Sequence, residues 1–148
     1  ELVETAVEAF FSEAKKTPTV ESLGEIKQYK EGKTTLLQGD VMAVRPTMVS
    51  SGAWYDRAAL IALPSTMRPA YVKQIRALCQ PGSTGLMITF SYPQNEMQGP
   101  PFSLPDEEVL RLFEPEFEVE LLERIALEDE KQRGLTSVHS AVYKLTRT

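Results

Sequence analysis

Two adjacent residues of opposite charge, Asp56 and Arg57, stand between a short apolar stretch and an apolar helical run that ends at Pro64. An unpaired charge in an apolar interior costs several kcal/mol, so we expect the pair at the carboxyl end of a strand. Open α/β sheets hold their ligands there. An arginine at this place can pair with Asp56 and offer its remaining donors to an anion. The pair is a candidate site; the alternative is a solvated strand end with an ordinary ion pair.

Two further acids, Glu1 and Asp40, stand where the pattern places the ends of other strands. In a doubly wound sheet these ends lie along one edge, which predicts a single site shared with Asp56. One acid at such an edge can accept both hydroxyls of a ribose, and the next can accept an adenine amino group. The pattern therefore favours a nucleoside-binding edge, although any one of these acids is more often a solvated cap.

The composition excludes several classes of function. The 148 residues are 42% hydrophobic and 25% charged, with a formal net charge of −5, as expected of an ordinary globular protein. No basic run is present, so we expect no binding to nucleic acid or to a membrane surface. A single cysteine, Cys79, and a single histidine, His139, argue against a disulfide and a metal site and favour the cytoplasm. Cys79 fits a core position, and His139 fits a satisfied or surface position better than a catalytic one.

Hydrophobic periodicity predicts the elements that must position these residues. It predicts helices over 3–14 and 71–79, with Ser65 as the N-cap of the second, and a third helix at 106–113 behind a capping box of Ser103 and Asp106. Strands are predicted at 25–29, 34–37, 54–57, 86–90, 117–121 and 135–145, and a long loop at 92–104. The last two strands have no helix between them and can pair antiparallel. We therefore expect an α/β fold with a mostly parallel sheet and an antiparallel C-terminal edge.

Several segments, in this order, resemble the thiopurine S-methyltransferase family, and its bacterial members most closely. They are ELVETAVEAFF at 1–11, Gly39-Asp40, YDRAALIALP at 55–64, LMITFSY at 86–92 and GPPF at 99–102. The resemblance continues to 142–145 and so covers essentially the whole chain. It implies a Rossmann-like class I methyltransferase fold that uses S-adenosylmethionine and releases S-adenosylhomocysteine.

The resemblance also implies where the cofactor binds. In the family, the acid that matches Glu1 holds the cofactor ribose. The pair that matches Asp40 and Val41 lies against the adenine. The arginine that matches Arg57 lies between cofactor and acceptor, so Arg57, with Asp56 beside it, is the expected catalytic pair.

An acceptor pocket is implied as well. The family's prolines that match Pro100 and Pro101 line this pocket, and we expect Phe102 to shape an apolar wall together with them. A second pocket arginine of the family has no matching arginine here, because Asp129 stands near that place. Two basic residues, Lys131 and Arg133, follow close by.

The family's first strand, its glycine-containing cofactor loop and an N-terminal lid precede the position of Glu1. We therefore expect residues 1–148 to be a single methyltransferase domain, truncated at the N-terminus and lacking these elements. The expected activity is methyl transfer to a small thiol such as a thiopurine or aromatic thiol, or to selenium or tellurium compounds, by a cytoplasmic monomer. The alternatives are a non-catalytic domain that binds a nucleotide-like ligand or a partner, and a halide or thiocyanate methyltransferase.

Overall fold

The computed structural model describes residues 2–128 and 134–148. The chain divides into two compact units, Glu1–Arg45 and Pro46–Thr148. Residues 129–133, between the last two predicted strands, lie outside the described residues. No helix in the described ranges is long and apolar enough to cross a membrane.

The first unit combines one helix with a small antiparallel sheet. Helix α1 spans Leu2–Glu13, and strands β1 (Thr19–Leu23), β2 (Ile26–Glu31) and β3 (Thr34–Gln38) pair in that order. Val7 and Phe11, one turn apart on α1, are buried with Tyr29 of β2, and Leu36 of β3 packs against them. A turn of 3-10 helix at Val41–Ala43 follows the sheet.

The predicted helix and two predicted strands of this unit are confirmed, but β1 was not expected. Its residues are exposed up to the last one, so its sequence carries no apolar alternation. Among the described strands β3 pairs with β2 alone, through the hairpin turn at Gly32. The expectation that Asp40 and Asp56 lie at one edge assumes that their strands belong to one sheet. This assumption is wrong, because Asp40 follows an antiparallel strand of a separate sheet.

The second unit holds a four-stranded mixed sheet in the order β4-β5-β7-β6. Its elements are β4 (Ser51–Asp56), α2 (Ala59–Ala62), α3 (Arg68–Leu78), β5 (Cys79–Ser91), a 3-10 turn (Gln94–Glu96), α4 (Asp106–Phe113), β6 (Phe117–Ala126) and β7 (His139–Arg147). Strands β4 and β5 are parallel, and β7 pairs antiparallel with both β5 and β6. The α/β class and the antiparallel C-terminal edge are confirmed. That residues 1–148 form a single domain stays a prediction.

One face of this sheet packs against α3 and α4. Tyr143 and Leu145 of β7 are buried in one cluster with Val72 of α3 and Phe113 of α4. Trp54 of β4 stacks on Phe113, with the ring centroids 6.4 Å apart. Its indole crosses the backbone partner Gly85 on β5, where any Cβ atom would overlap the ring. Glycine at this position is what allows the tryptophan to pack into the core.

Both predicted N-caps are wrong. Helix α3 begins at Arg68, after a turn in which the N–H of Met67 donates to the carbonyl of Pro64, so Ser65 caps nothing. The N-cap of α4 is Pro105, and the hydroxyl of Ser103 is engaged in the preceding loop instead. A local turn at Pro64 delays the start of α3, whereas at Ser103 the local pattern is overridden by a contact with Tyr92, 11 residues away.

Candidate active site

Asp56 ends β4 as a buried carboxylate, 5% exposed, that is surrounded by donors. Its Oδ1 accepts from the N–H of Ala59 at 2.9 Å, and its Oδ2 accepts from the N–H of Leu60 at 3.3 Å and the hydroxyl of Tyr71 at 2.9 Å. These donors replace the water that the carboxylate loses on burial. Burial, reinforced by the Asp56 charge, raises the pKa of Tyr71, so this hydroxyl stays protonated and donates. Asp56 thus holds the start of α2 in place and joins it to α3.

Arg57, the next residue, is exposed. Within the described ranges its side chain forms no ion pair or hydrogen bond, so the expected pairing with Asp56 is wrong. The physical reason is that both oxygens of Asp56 already point at the backbone of α2 and at Tyr71. The rigid turn therefore presents a guanidinium whose donors remain available for a ligand.

Segment 92–103, which carries the predicted acceptor wall, is held by its own side chains. The N–H of Tyr92 donates to Ser103 Oγ at 3.0 Å, and this hydroxyl donates back to the carbonyl of Tyr92 at 2.7 Å. The Tyr92 hydroxyl donates to the carbonyl of Pro101 at 2.7 Å. Gln94 Nε2 donates to the carbonyl of Met97 at 2.7 Å, and its Oε1 accepts from the N–H of Ser103 at 2.9 Å. The loop is long but has a defined shape.

The same loop is joined to the turn that carries Arg57. The N–H of Phe102 donates to the carbonyl of Ile61, in the helix that Asp56 caps, at 2.7 Å. Gly99 has a φ of +84°, and a Cβ atom there would meet the Phe102 ring at 2.6 Å. The Arg57 turn and the Gly-Pro-Pro-Phe segment are therefore parts of one framework within the second unit.

A cavity of about 720 Å³ opens in the second unit where β5 ends and β7 begins. Small-molecule sites have volumes of roughly 300–1,000 Å³. The walls combine proline and aromatic side chains with polar ones: Pro64, Ser65, Arg68, Ser91, Tyr92, Pro93, Gln94, Gln98, Phe102, Ser103, Pro105, Glu108, Ser137 and His139. Phe102 is the one residue of the predicted acceptor wall that lines it. Arg57, Pro100 and Pro101 are not among the described residues on its surface.

Asp40 and Val41 form an exposed turn in the first unit. Asp40 Oδ1 accepts from the N–H of Met42 at 2.9 Å and caps the 3-10 turn. Val41 and Met42 beside it are 40% and 41% exposed. A carboxylate next to an open apolar surface has the chemistry needed to hold an adenine ring.

Other predicted positions are not described. Glu1, Asp129, Lys131 and Arg133 lie outside the described residues. Within the described ranges, no group of three or more histidine, cysteine, aspartate or glutamate side chains could hold a metal ion. Cys79 is buried, as predicted.

Three residues that organise this framework were not predicted: Tyr71, Tyr92 and Arg68. Tyr71 was assigned to the core by its helical spacing alone, which does not reveal its hydroxyl contact. Arg68 is buried, and it donates from Nε to the carbonyl of Leu63 and from Nη2 to that of Ser103, both at 3.1 Å. These contacts cross up to 35 residues, and local pattern gives no signal for them.

The fold defines a class of protein. The chain is similar to the solved structure of an S-adenosylmethionine-dependent methyltransferase from Methanosarcina mazei, with a TM-score of 0.51 at 12% identity over 73% of this chain and 64% of that one. It is also similar to an N-methyltransferase from Bradyrhizobium japonicum, solved with S-adenosylhomocysteine, with a TM-score of 0.50 at 11% identity over 73% of this chain and 51% of that one. The fold is that of the S-adenosylmethionine-dependent methyltransferases.

Sequence comparison gives the family within this class. The family model described as Thiopurine S-methyltransferase matches residues 1–148. The chain is 40% identical over 158 residues to the thiopurine S-methyltransferase of Shewanella piezotolerans and 41% identical over 152 residues to that of Pseudomonas aeruginosa, covering 99% of this chain and 70% of each relative. The protein of the same name from Bordetella pertussis is 38% identical over 152 residues. This chain belongs to the thiopurine S-methyltransferase family, a family of S-adenosylmethionine-dependent methyltransferases, and the predicted family, enzyme class and cofactor are confirmed.

Proposed function

We propose that the protein transfers the methyl group of S-adenosylmethionine to the sulfur of a small aromatic or heterocyclic thiol. When bound, the cofactor supplies an electrophilic methyl group for in-line displacement by the acceptor sulfur. A thiolate is a strong nucleophile and needs little help from a base, so the chain's contribution is to bring the two reactants together in the right orientation. The observation that carries the proposal is the exposed Arg57, on a turn that Asp56 holds and in one framework with the Gly-Pro-Pro-Phe segment.

Each side chain has a definite part in this proposal. Arg57 attracts the anionic form of the acceptor or the carboxylate of the cofactor, because its donors are free and its turn is fixed. Asp56 acts through Arg57 as a positioning residue, since its own oxygens are occupied. Pro100, Pro101 and Phe102 provide an apolar wall that aligns the acceptor ring.

In the first unit, the exposed turn at Asp40 and Val41 offers groups that suit the adenine of the cofactor. Asp40 uses Oδ1 as an acceptor, and within the described ranges its Oδ2 accepts no hydrogen bond, while the exposed side chains of Val41 and Met42 offer an apolar surface for the adenine. Glu1 is proposed to bind the ribose hydroxyls on the basis of the family match alone.

The test compares Arg57→Lys with Arg111→Lys in the intact protein. Arg111 lies on α4 and is exposed like Arg57, and its 3.7 Å ion pair with Glu108 is one that a lysine can also form. Lysine keeps the charge but loses the planar fork, so Arg57→Lys should lower kcat/KM by about tenfold, or roughly 1.4 kcal/mol, and shift Tm little. Arg111→Lys should change neither quantity.

The acceptors should include a thiopurine, an aromatic thiol, a selenium compound, tellurite and iodide. Transfer to iodide alone would support the halide alternative. Tight cofactor binding without transfer to any acceptor would support the non-catalytic alternative. A destabilised but fully active Arg57→Lys protein would mean that Arg57 is architectural. That the protein is a cytoplasmic monomer stays a prediction, to be checked by sedimentation and cell fractionation.

A further inference from the structure

The charged side chains of the cavity are paired with each other. Arg68 Nη1 lies 2.8 Å from Glu108 Oε2, and the Arg68 side chain is only 2% exposed. The remaining nitrogens of this guanidinium donate to two backbone carbonyls. Arg68 and Glu108 both line the cavity, and their opposite charges leave it without a net charge from this pair.

His139 is different because its imidazole has no hydrogen-bond or ion-pair partner among the described residues. It lines the cavity and is half-buried, yet it forms no side-chain hydrogen bond or ion pair with any part of the chain that the structure describes. As the first residue of β7 it alternates with Ala141, Tyr143 and Leu145, and so lies on the face of the sheet that α3 and α4 cover. An imidazole carries a donor and an acceptor at its two ring nitrogens, and both are available here.

The backbone around His139 is firmly placed. His139 pairs with Ser91 of β5 and with Ala126 of β6. Just before the strand, the carboxylate of Glu96 accepts from the N–H of Thr136 at 2.8 Å and from its hydroxyl at 2.5 Å. These bonds lower the pKa of Glu96, so the contact is intact at neutral pH. The backbone of His139 is thus held at a defined position in the cavity wall.

We propose that this cavity receives the ring of the acceptor and that His139 selects acceptors whose ring carries nitrogen. The inference rests on the proposed function and adds to it the residue that decides between acceptors. Phe102 belongs both to the proposed apolar wall and to this cavity, and with Tyr92 and Pro93 it offers a surface to the face of a flat ring, which any aromatic thiol satisfies. A nitrogen at the ring edge can in addition exchange a hydrogen bond with His139, whereas a hydrocarbon ring leaves the imidazole unpaired.

The experiment compares 2-mercaptopyrimidine with thiophenol, two thiols on six-membered rings that differ in ring nitrogens. Wild type should favour the pyrimidine. His139→Phe should raise the KM for it about three- to tenfold, the usual value of one hydrogen bond, and change the KM for thiophenol less than about twofold. His139→Gln retains a donor and an acceptor and should recover part of the loss. Ser140→Ala, the next residue along β7 with its side chain on the other face, is the matched control and should behave as wild type.

Equal losses for both thiols, or no loss for either, would overturn the role of His139. Direct titration of 2-mercaptopyrimidine by calorimetry in the presence of S-adenosylhomocysteine provides a readout that does not depend on turnover. If wild type binds the pyrimidine and His139→Phe binds it more weakly, but neither transfers a methyl group, the proposed reaction fails while the selectivity holds. If wild type and His139→Phe bind it equally, the selectivity fails whatever the turnover.

Discussion

Asp40 and Asp56 occupy equivalent places in the sequence and very different places in the structure. Each follows a short strand and precedes a helical turn. Asp40 is exposed and uses one oxygen to accept a single backbone N–H. Asp56 is buried and uses both oxygens to accept from two backbone N–H groups and the Tyr71 hydroxyl.

The difference shows that an acid at the end of a strand can serve either the fold or a ligand. The number of donors that surround its carboxylate decides between these two roles. A carboxylate saturated by its own fold cannot also hold a ligand, but it can fix the residue beside it. An exposed carboxylate that accepts a single backbone N–H still has lone pairs that can accept from a ligand. The contrast makes Asp56 a determinant of stability and leaves Asp40 free for a cofactor.

The largest effect should come from Asp56→Asn. The amide replaces an acceptor oxygen with an NH₂ group that faces other donors, and it removes the charge that strengthens all three bonds. We expect the free energy of unfolding to fall by roughly 2–4 kcal/mol, measured by urea denaturation. Activity per folded molecule should fall as well, because Arg57 loses its fixed support. If the Asp56→Asn protein were nearly as stable as wild type, Asp56 would not differ from Asp40 in its role in the fold. Asp56 would then again be a candidate for binding a ligand.

Sequence patterns predicted where the framework lies but not how it is connected. Val7 and Phe11 on α1 and the carboxyl end of β4 could be located because apolar spacing and the Asp56-Arg57 break are local signals. The bonds from Tyr71 to Asp56 and from Arg68 to Ser103 could not, since they join residues 15 and 35 positions apart. The cavity around His139 depends on the antiparallel placement of β7 beside β5, which periodicity suggests only in part.

An intermediate effect is expected from Tyr71→Phe, which removes one of the three donors to Asp56 and leaves the ring in the core. The free energy of unfolding should fall by roughly 1.5 kcal/mol at about pH 8, the value of one hydrogen bond to a charged group. The pKa of Tyr71 is raised in the folded protein, so the stability it contributes is fully present below the unfolded tyrosine pKa of about 10 and is lost as the pH rises above it. Urea denaturation should therefore show a smaller difference in the free energy of unfolding between wild type and Tyr71→Phe at about pH 11 than at about pH 8. A constant gap would mean that the hydroxyl does not interact with Asp56 as described.

The smallest effect on stability should come from Asp40→Asn. This variant gives the sharpest test of the difference between Asp40 and Asp56. Asparagine is as good an N-cap as aspartate, so the free energy of unfolding should change by less than about 0.5 kcal/mol. If the free oxygen of Asp40 accepts the adenine amino group, replacing a charged acceptor with a neutral one should weaken S-adenosylhomocysteine binding by roughly fivefold, or about 1 kcal/mol. Calorimetry on the same preparation measures both quantities, with Glu107→Gln as the control, because Glu107 is an exposed acid in the first turn of α4 outside the proposed cofactor contacts. An unchanged Kd in a fully folded Asp40→Asn protein would show that this acid, like Asp56, serves the fold alone, and the cofactor contact would then have to be sought elsewhere in the first unit.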